Sequence, residues 1–232
     1  ALLVIVGSIC EQLLAKENIK VYSHITSILD IKSKTYTDGE LINKIKMFEK
    51  HNFMVDKDQE EKALALIKQV KQNNDSLPSK VETLIEGAPV GLGEPFFDSF
   101  ESTLSHLLFS IPAVKAVSFG DFDLENKLGS NQTDEMEYKD EQVIFSNNHQ
   151  GGIMGGLTNG NIIKFTTTFK APSSTMMPKK SINIITKENI TVQTPGRHDP
   201  IIGIRAIPVI NALAYYTVLE LMLENKKYEI IR

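Results

Sequence analysis

Apolar positions crowd the start of the chain. Residues 1–6 are unbroken apolar, Glu11 and Gln12 interrupt them, and the pattern predicts a helix over residues 1–17 that ends near Asn18. Its first half reads as the middle of a buried helix and is too short to span a bilayer. Residues 20–29 mix Val21, Ile25 and Ile28 with Tyr22, Thr26 and two serines, which predicts a strand. His24 within it reads as a satisfied core or surface group rather than a ligand. Residues 30–55 are mixed and polar, a loop with a short helix near 42–49. Asp56 with Gln59 three residues on predicts a capped helix running to about Asn74, with Ala63, Ile67 and Val70 as its buried stripe. A strand over 80–86 leads into a loop with two prolines and three glycines at 87–95. Asp98 and Glu101 form a second cap pair, opening a helix with Phe100, Leu104, Leu107 and Leu108 inward, which Pro112 stops before a strand at 113–119. Further strands are predicted at 162–169, 182–185 and 190–193, the last two paired. A final helix, opened by Pro208, carries Ile210, Leu213, Tyr216, Val218, Leu219, Leu221 and Met222 around most of its circumference, so it belongs between layers. Long apolar helices with short strands indicate an α+β layered domain, one unit over 1–232, with no internal repeat.

The chain has 232 residues and a formal net charge of -4, which excludes generic nucleic-acid binding. The charge is uneven. Residues 170–232 carry nine Lys/Arg against five Asp/Glu, a local +4, while the remainder stands at -8. A basic C-terminal third in an acidic chain suits a small anionic ligand better than a polyanion. Cys10 is the one cysteine, so no intrachain disulfide forms, in keeping with a reducing cytoplasm; it reads as packed and inert.

Two stretches stand out chemically. Residues 146–160 read SNNHQGGIMGGLTNG, with five glycines and three asparagines. Bare backbone there, at Gly155 and its neighbours, can take φ > 0 and approach a ligand. Residues 196–200 read GRHDP. Lys170 and Arg197 add positive charge, and Ser173, Ser174 and Thr175 add hydroxyls, a set that suits a planar, phosphate-bearing ligand. Asp199 beside Arg197 is a candidate proton acceptor. A purely structural turn, with Arg197 on carbonyls and Asp199 as a cap, fits the same spacing. Other constellations fail. No P-loop occurs, the glycine spacing lacks the G-x-G-x-x-G form, and no zinc spacing or G-x-S-x-G elbow appears. Asp121, Asp123 and Glu125 imitate a calcium loop, but Asn126 and Gln132 stand where it needs glycine and glutamate, so 121–141 reads as a solvated acidic loop.

SNNHQGGIMGGLTNG, GRHDP, the GIRAIP run at 203–208, and GAPVGLGEPFFDSFESTLSHLLFSIPAVKAVSFGD at 87–121 together resemble the chorismate synthase family. The resemblance covers nearly the whole chain. It implies a β-α-β sandwich with helices between antiparallel sheets, assembled as a cytoplasmic homotetramer with no membrane partner. It also implies elimination of phosphate from 5-enolpyruvylshikimate 3-phosphate to give chorismate, with reduced FMN as cofactor and NADPH as a reductant in some members. Carried over by position, Pro112 and Ala113 fall on a flavin-contacting pair and Gly155 on a glycine against the cofactor. Lys170, Ala171, Pro172, Ser173 and Ser174 fall on the flavin-binding turn. Arg197 falls near flavin and substrate phosphate, and Asp199 on the aspartate proposed to relay a proton at flavin N5. The family carries more chain in front, including Ser-His-Gly, Arg-x-x-His-Ala-Asp and Arg-Ser-Ser-Ala-Arg-Glu motifs absent here. The chain is therefore expected to be a domain truncated on its N-terminal side and inactive alone. The alternative is a short, non-catalytic flavin- or phosphate-binding or assembly module derived from the family. Smaller departures are Leu77-Pro78-Ser79-Lys80, a missing glycine after Gly120, and Ala171-Pro172 in place of Pro-Thr.

Overall fold

The computed structural model describes residues 1–48, 52–121 and 126–229. Its centre is a five-stranded antiparallel sheet of order β2-β1-β3-β9-β4, built from β1 (Lys20–Ile28), β2 (Ile31–Lys32), β3 (Ser79–Glu86), β4 (Val114–Phe119) and β9 (Ile163–Phe169). Strand alternation divides the residues between two faces. Ile25, Val81, Ile85, Phe165 and Phe169 enter the main core, while Tyr22 and Leu84 join a smaller cluster on the other side with Leu41 and Ile42 of α2 (Asp38–Lys46).

The main core is closed by α1 (Leu2–Leu14), α4 (Phe100–Leu108) and α5 (Gly203–Glu229). α5 packs on β1, β3, α1 and α4. It is long and apolar enough over Gly203–Lys226 to cross a membrane, yet 50% of that window is buried inside the protein. Ile210, Ala214 and Val218 are wholly buried along it. Two close approaches fix its position. A Cβ on Gly7 of α1 would lie 2.2 Å from that of Ala212, and a Cβ on Gly203 would lie 2.3 Å from Ser79 Oγ. Tyr215 Oη then accepts from the Val21 amide at 3.0 Å, joining α5 to the first strand.

Several expectations are corrected. α5 begins at Gly203, where the Ile202 carbonyl accepts from the Arg205 and Ala206 amides, so Pro208 lies inside the helix instead of opening it. α1 packs only through Gly7, Cys10 and Leu14; Leu2, Ile5, Val6, Ile9 and Leu13 are exposed along the opposite side, so the helix is not buried all round. α2 starts at Asp38 under a Thr37–Glu40 capping box, earlier than the 42–49 predicted, and residues 49–51 lie outside the described residues. Asp56 precedes α3 (Lys57–Gln72) but its carboxylate accepts from Lys34 N and Tyr36 Oη, while Gln59 turns to Asp58. Glu60 instead accepts from the Phe53 and Met54 amides, each at 2.7 Å. The cap of α4 is Ser99, whose Oγ accepts from Ser102 N at 3.1 Å, one residue beyond Asp98. The acidic 121–141 stretch ends in a hairpin, β5 (Met136–Lys139) with β6 (Gln142–Phe145). Asp123 and Glu125 lie outside the described residues. The predicted pairing after residue 170 is present as β10 (Lys179–Asn183) with β11 (Glu188–Val192), and the glycine stretch contains the ribbon β7 (Ile153–Met154) and β8 (Leu157–Thr158). Helices α1, α4 and α5 on one face of an antiparallel sheet, with α2 against the other, make the fold α+β as expected. Among the described residues the other strands pair as three two-stranded ribbons.

Candidate active site

The GRHDP segment runs from β11 toward α5 and lines a cleft of about 170 Å³. Facing it are Lys71, Asn74 and Asp75 at the end of α3 and Ser174, Thr175 and Met176 after β9. Backbone contacts clamp these segments together. Leu77 N donates to Pro200 O at 2.7 Å, and Ser76 Oγ donates to Pro172 O at 2.7 Å. Lys170 Nζ donates to Ser173 Oγ and Lys179 Nζ to Ser173 O, which folds the 170–174 turn on itself. His198 Nε2 donates to Thr194 O at 3.0 Å, a structural contact of the GRHDP turn. Arg197 is exposed and has no ion pair among the described residues. Thr175 is 5% exposed and its Oγ1 has no hydrogen-bond partner. A buried hydroxyl without a partner is uncommon in a folded protein and asks for a ligand or water.

The sequence-predicted residues divide into two groups. Ser174, Arg197 and Asp199 line the cleft. Lys170, Ala171, Pro172 and Ser173 form the adjoining turn. Ala113 is tied to it, since Lys170 N donates to Ala113 O at 2.9 Å, and Pro112 precedes it. Gly155 is elsewhere. Lys164 N donates to Gly151 O at 3.1 Å and Phe100 N to Gly156 O at 2.9 Å, which places the glycine stretch at the first end of β9 and the start of α4. The 170–174 turn leaves the other end of β9, a strand of seven residues and thus about 20 Å away. The expected convergence of Gly155 with Arg197 and Asp199 is therefore not made within this chain. The guanidinium beside Asp199 also differs from expectation. Arg205 Nη1 donates to Asp199 Oδ2 at 2.5 Å, not Arg197. Lys71, Asn74, Asp75, Thr175, Met176 and Arg205 were missed. Only Arg205 leaves a linear signal, an acid and an arginine straddling the start of a helix.

A second set of ionisable groups gathers on the sheet face opposite α5. Lys164 Nζ lies 3.3 Å from Asp38 Oδ1 and 3.1 Å from Asp121 Oδ1. Asp121 also meets Lys127 at 2.9 Å and His149 Nδ1 at 2.7 Å. Burial opposes ionisation of Asp121, but hydrogen bonds from His149, Lys127 and Lys164 outweigh it and hold the carboxyl well below the usual range. Burial likewise opposes the Lys164 charge, and Asp38 and Asp121 more than offset it, raising its pKa. His24 is buried with Nε2 3.1 Å from Glu82, while its Nδ1 has no partner. Among the described residues no cluster of His, Cys, Asp or Glu could hold a metal ion.

Chemically, the cleft offers hydroxyls, an uncommitted guanidinium and an ammonium for an anion, and a carboxylate oriented by Arg205 that can accept a proton. Its volume falls short of the roughly 300–1,000 Å³ of typical small-molecule sites, so it forms part of a wall rather than an enclosure. Comparison with known proteins gives the family. A family profile described as Chorismate synthase matches residues 1–223. A protein named Chorismate synthase from Cytophaga hutchinsonii is 35% identical over 224 residues, covering 95% of this chain and 61% of that protein. One of the same name from Acetivibrio thermocellus is 32% identical over 228 residues, covering 97% of this chain and 58% of that protein. A solved structure titled Crystal Structure of Chorismate Synthase superposes with a TM-score of 0.77 at 22% identity, covering 95% of this chain and 62% of that one, which shows a shared fold. This chain spans about three fifths of the length of those proteins, at 58% to 62%. With its match running from the first residue into the last helix, the chain belongs to the chorismate synthase family.

Proposed function

We propose that this chain is the larger part of an FMN-dependent chorismate synthase that converts 5-enolpyruvylshikimate 3-phosphate to chorismate and phosphate. In that trans-1,4-elimination the C3–O bond to phosphate breaks, the C6–H bond breaks, and the freed electron pair becomes a new ring double bond. Reduced FMN, brought to that state by NADPH or another reductant and not consumed in the redox-neutral elimination, would supply electron density at the ring when bound.

The observation that carries this reading, beside the family match, is the partnerless Thr175 hydroxyl in a cleft with an uncommitted Arg197. Thr175, Ser174 and Arg197 would hold the anionic edge of the flavin or the phosphate. The 170–174 turn, with Lys170, Ala171, Pro172 and Ser173 beside Pro112 and Ala113, would shape the wall behind them. Asp199, oriented by Arg205, would accept a proton. Gly155 would serve a site on another copy in a homotetramer. The exposed apolar side of α1 requires cover by the remaining two fifths of the family's length or by a second copy. A cytoplasmic enzyme with no nucleic-acid or membrane partner completes the reading.

The test uses the longer parent protein. Asp199→Asn is expected to slow chorismate formation from reduced FMN and substrate by about 100-fold or more while FMN affinity stays within about twofold. Arg197→Ala is expected to weaken FMN or substrate binding. Turnover unchanged in Asp199→Asn removes that residue from the mechanism, and absence of chorismate from the unaltered parent removes the whole reading.

A further inference from the structure

A second cavity, of about 280 Å³, opens on the sheet face away from α5 and shares no lining residue with the GRHDP cleft. Its roof is the segment 32–36 and its floor is made by β1, β3 and β9. The roof is pinned. Lys34 N donates to Asp56 Oδ2 at 2.8 Å, Tyr36 Oη donates to the same carboxylate, and Ser33 N donates to Thr26 O at 2.9 Å.

Strand register places the charges. Ser27 pairs with Lys32 on one side and with Lys80 on the other. Directly paired residues share a face, and neighbouring strands lie about 4.8 Å apart, so two ammoniums flank one hydroxyl in a single cross-strand row. Lys34 comes to the same cavity from the roof. Lys32, Lys34 and Lys80 are exposed, and none has an acidic partner among the described residues. The two carboxylates in the wall are already engaged. Glu82 is held by His24, and Asp121 by Lys127, His149 and Lys164. Three ammoniums around one half-buried hydroxyl repel one another, and an anion between them relieves that repulsion.

We propose that this cavity binds a small phosphate-bearing anion, with Lys32, Lys34 and Lys80 as its cationic contacts and Ser27 as a hydroxyl donor. Three ammoniums converging from two strands and a pinned loop, with the Ser27 hydroxyl in the same row as two of them, suit the tetrahedral oxygens of a phosphate. The site stands whatever the GRHDP cleft does.

The test is calorimetric titration of this chain with inorganic pyrophosphate at low ionic strength, in the unaltered chain, in Lys34→Ala/Lys80→Ala, and in Arg197→Ala. These three side chains are exposed and unpaired, so the variants keep the fold, which far-ultraviolet circular dichroism checks. Saturable binding that weakens by about tenfold or more in the double lysine variant and by less than twofold in Arg197→Ala supports the proposal. No saturable binding, equal binding in the double lysine variant, or binding lost chiefly in Arg197→Ala overturns it.

Discussion

Lys164→Met tests how the sheet tolerates charge on its outer face. Lys164 is 13% exposed, and its two carboxylate partners, Asp38 and Asp121, are 17% and 23% exposed. Methionine keeps the stem's volume and removes the ammonium. Asp121 then retains Lys127 and His149, whereas among the described residues Asp38 retains the Asn148 amide at 2.8 Å alone. Removing one partner of a fully buried pair costs about 3–5 kcal/mol; partial exposure of the acids lowers the expectation to about 2–3 kcal/mol. Adding Asp38→Asn should recover part of that, with a coupling of about 1–2 kcal/mol in the double-mutant cycle. Urea unfolding followed by circular dichroism measures both, since the chain has no tryptophan. The same network sets the pH limits. Asp121 has a folded pKa below its unfolded value of about 3.9, so its contribution is present above that pH and lost as pH falls through the folded value. Lys164 has a folded pKa above its unfolded value of about 10.4, so its contribution is present below that pH and lost as pH rises through the folded value. Stability should be flat in between as far as this pair is concerned, and Lys164→Met should remove the alkaline limb. A loss under about 0.5 kcal/mol with an additive cycle would refute the reasoning.

Two stability predictions address the helices. Gly7→Ala forces a Cβ to within 2.2 Å of Ala212 Cβ, so α1 and α5 must separate; a loss of about 1–3 kcal/mol is expected in urea unfolding, and a neutral result would show that α1 does not dock as described. Ser99→Ala should cost about 1 kcal/mol and Asp98→Ala less than about 0.5 kcal/mol, because only Ser99 caps α4; the reverse order in thermal or urea unfolding would return the cap to Asp98.

The strands and helices were legible because their signal is local. β9 sends Ile163, Phe165 and Phe169 to one face at a spacing of two or four, and Phe100, Leu104 and Leu108 recur at helical spacing. The errors fall where the deciding contact is remote or the local choices are nearly equal. Asp98 and Ser99 both offer a cap oxygen, and only the backbone path selects between them. The apolar run of α1 announces burial without saying against what. Lys164, Asp38, Asp121 and His149 come from four separate segments, a strand, a mixed polar loop, an acidic loop and the glycine stretch, so no window contains their pairing. The cleft was half legible for the same reason: 170–174 and 196–200 carry their chemistry in sequence, whereas the α3 end joins them through Leu77 and Ser76. The glycine stretch shows the distinction most sharply. At Gly151 and Gly152 a Cβ would press on this chain's own backbone, 2.5 and 2.6 Å away, so packing alone demands those glycines. Gly155 has a φ of +62° and nothing within 4 Å of where its Cβ would be. Its left-handed backbone accounts for a glycine there, with no crowding among the described residues to demand one.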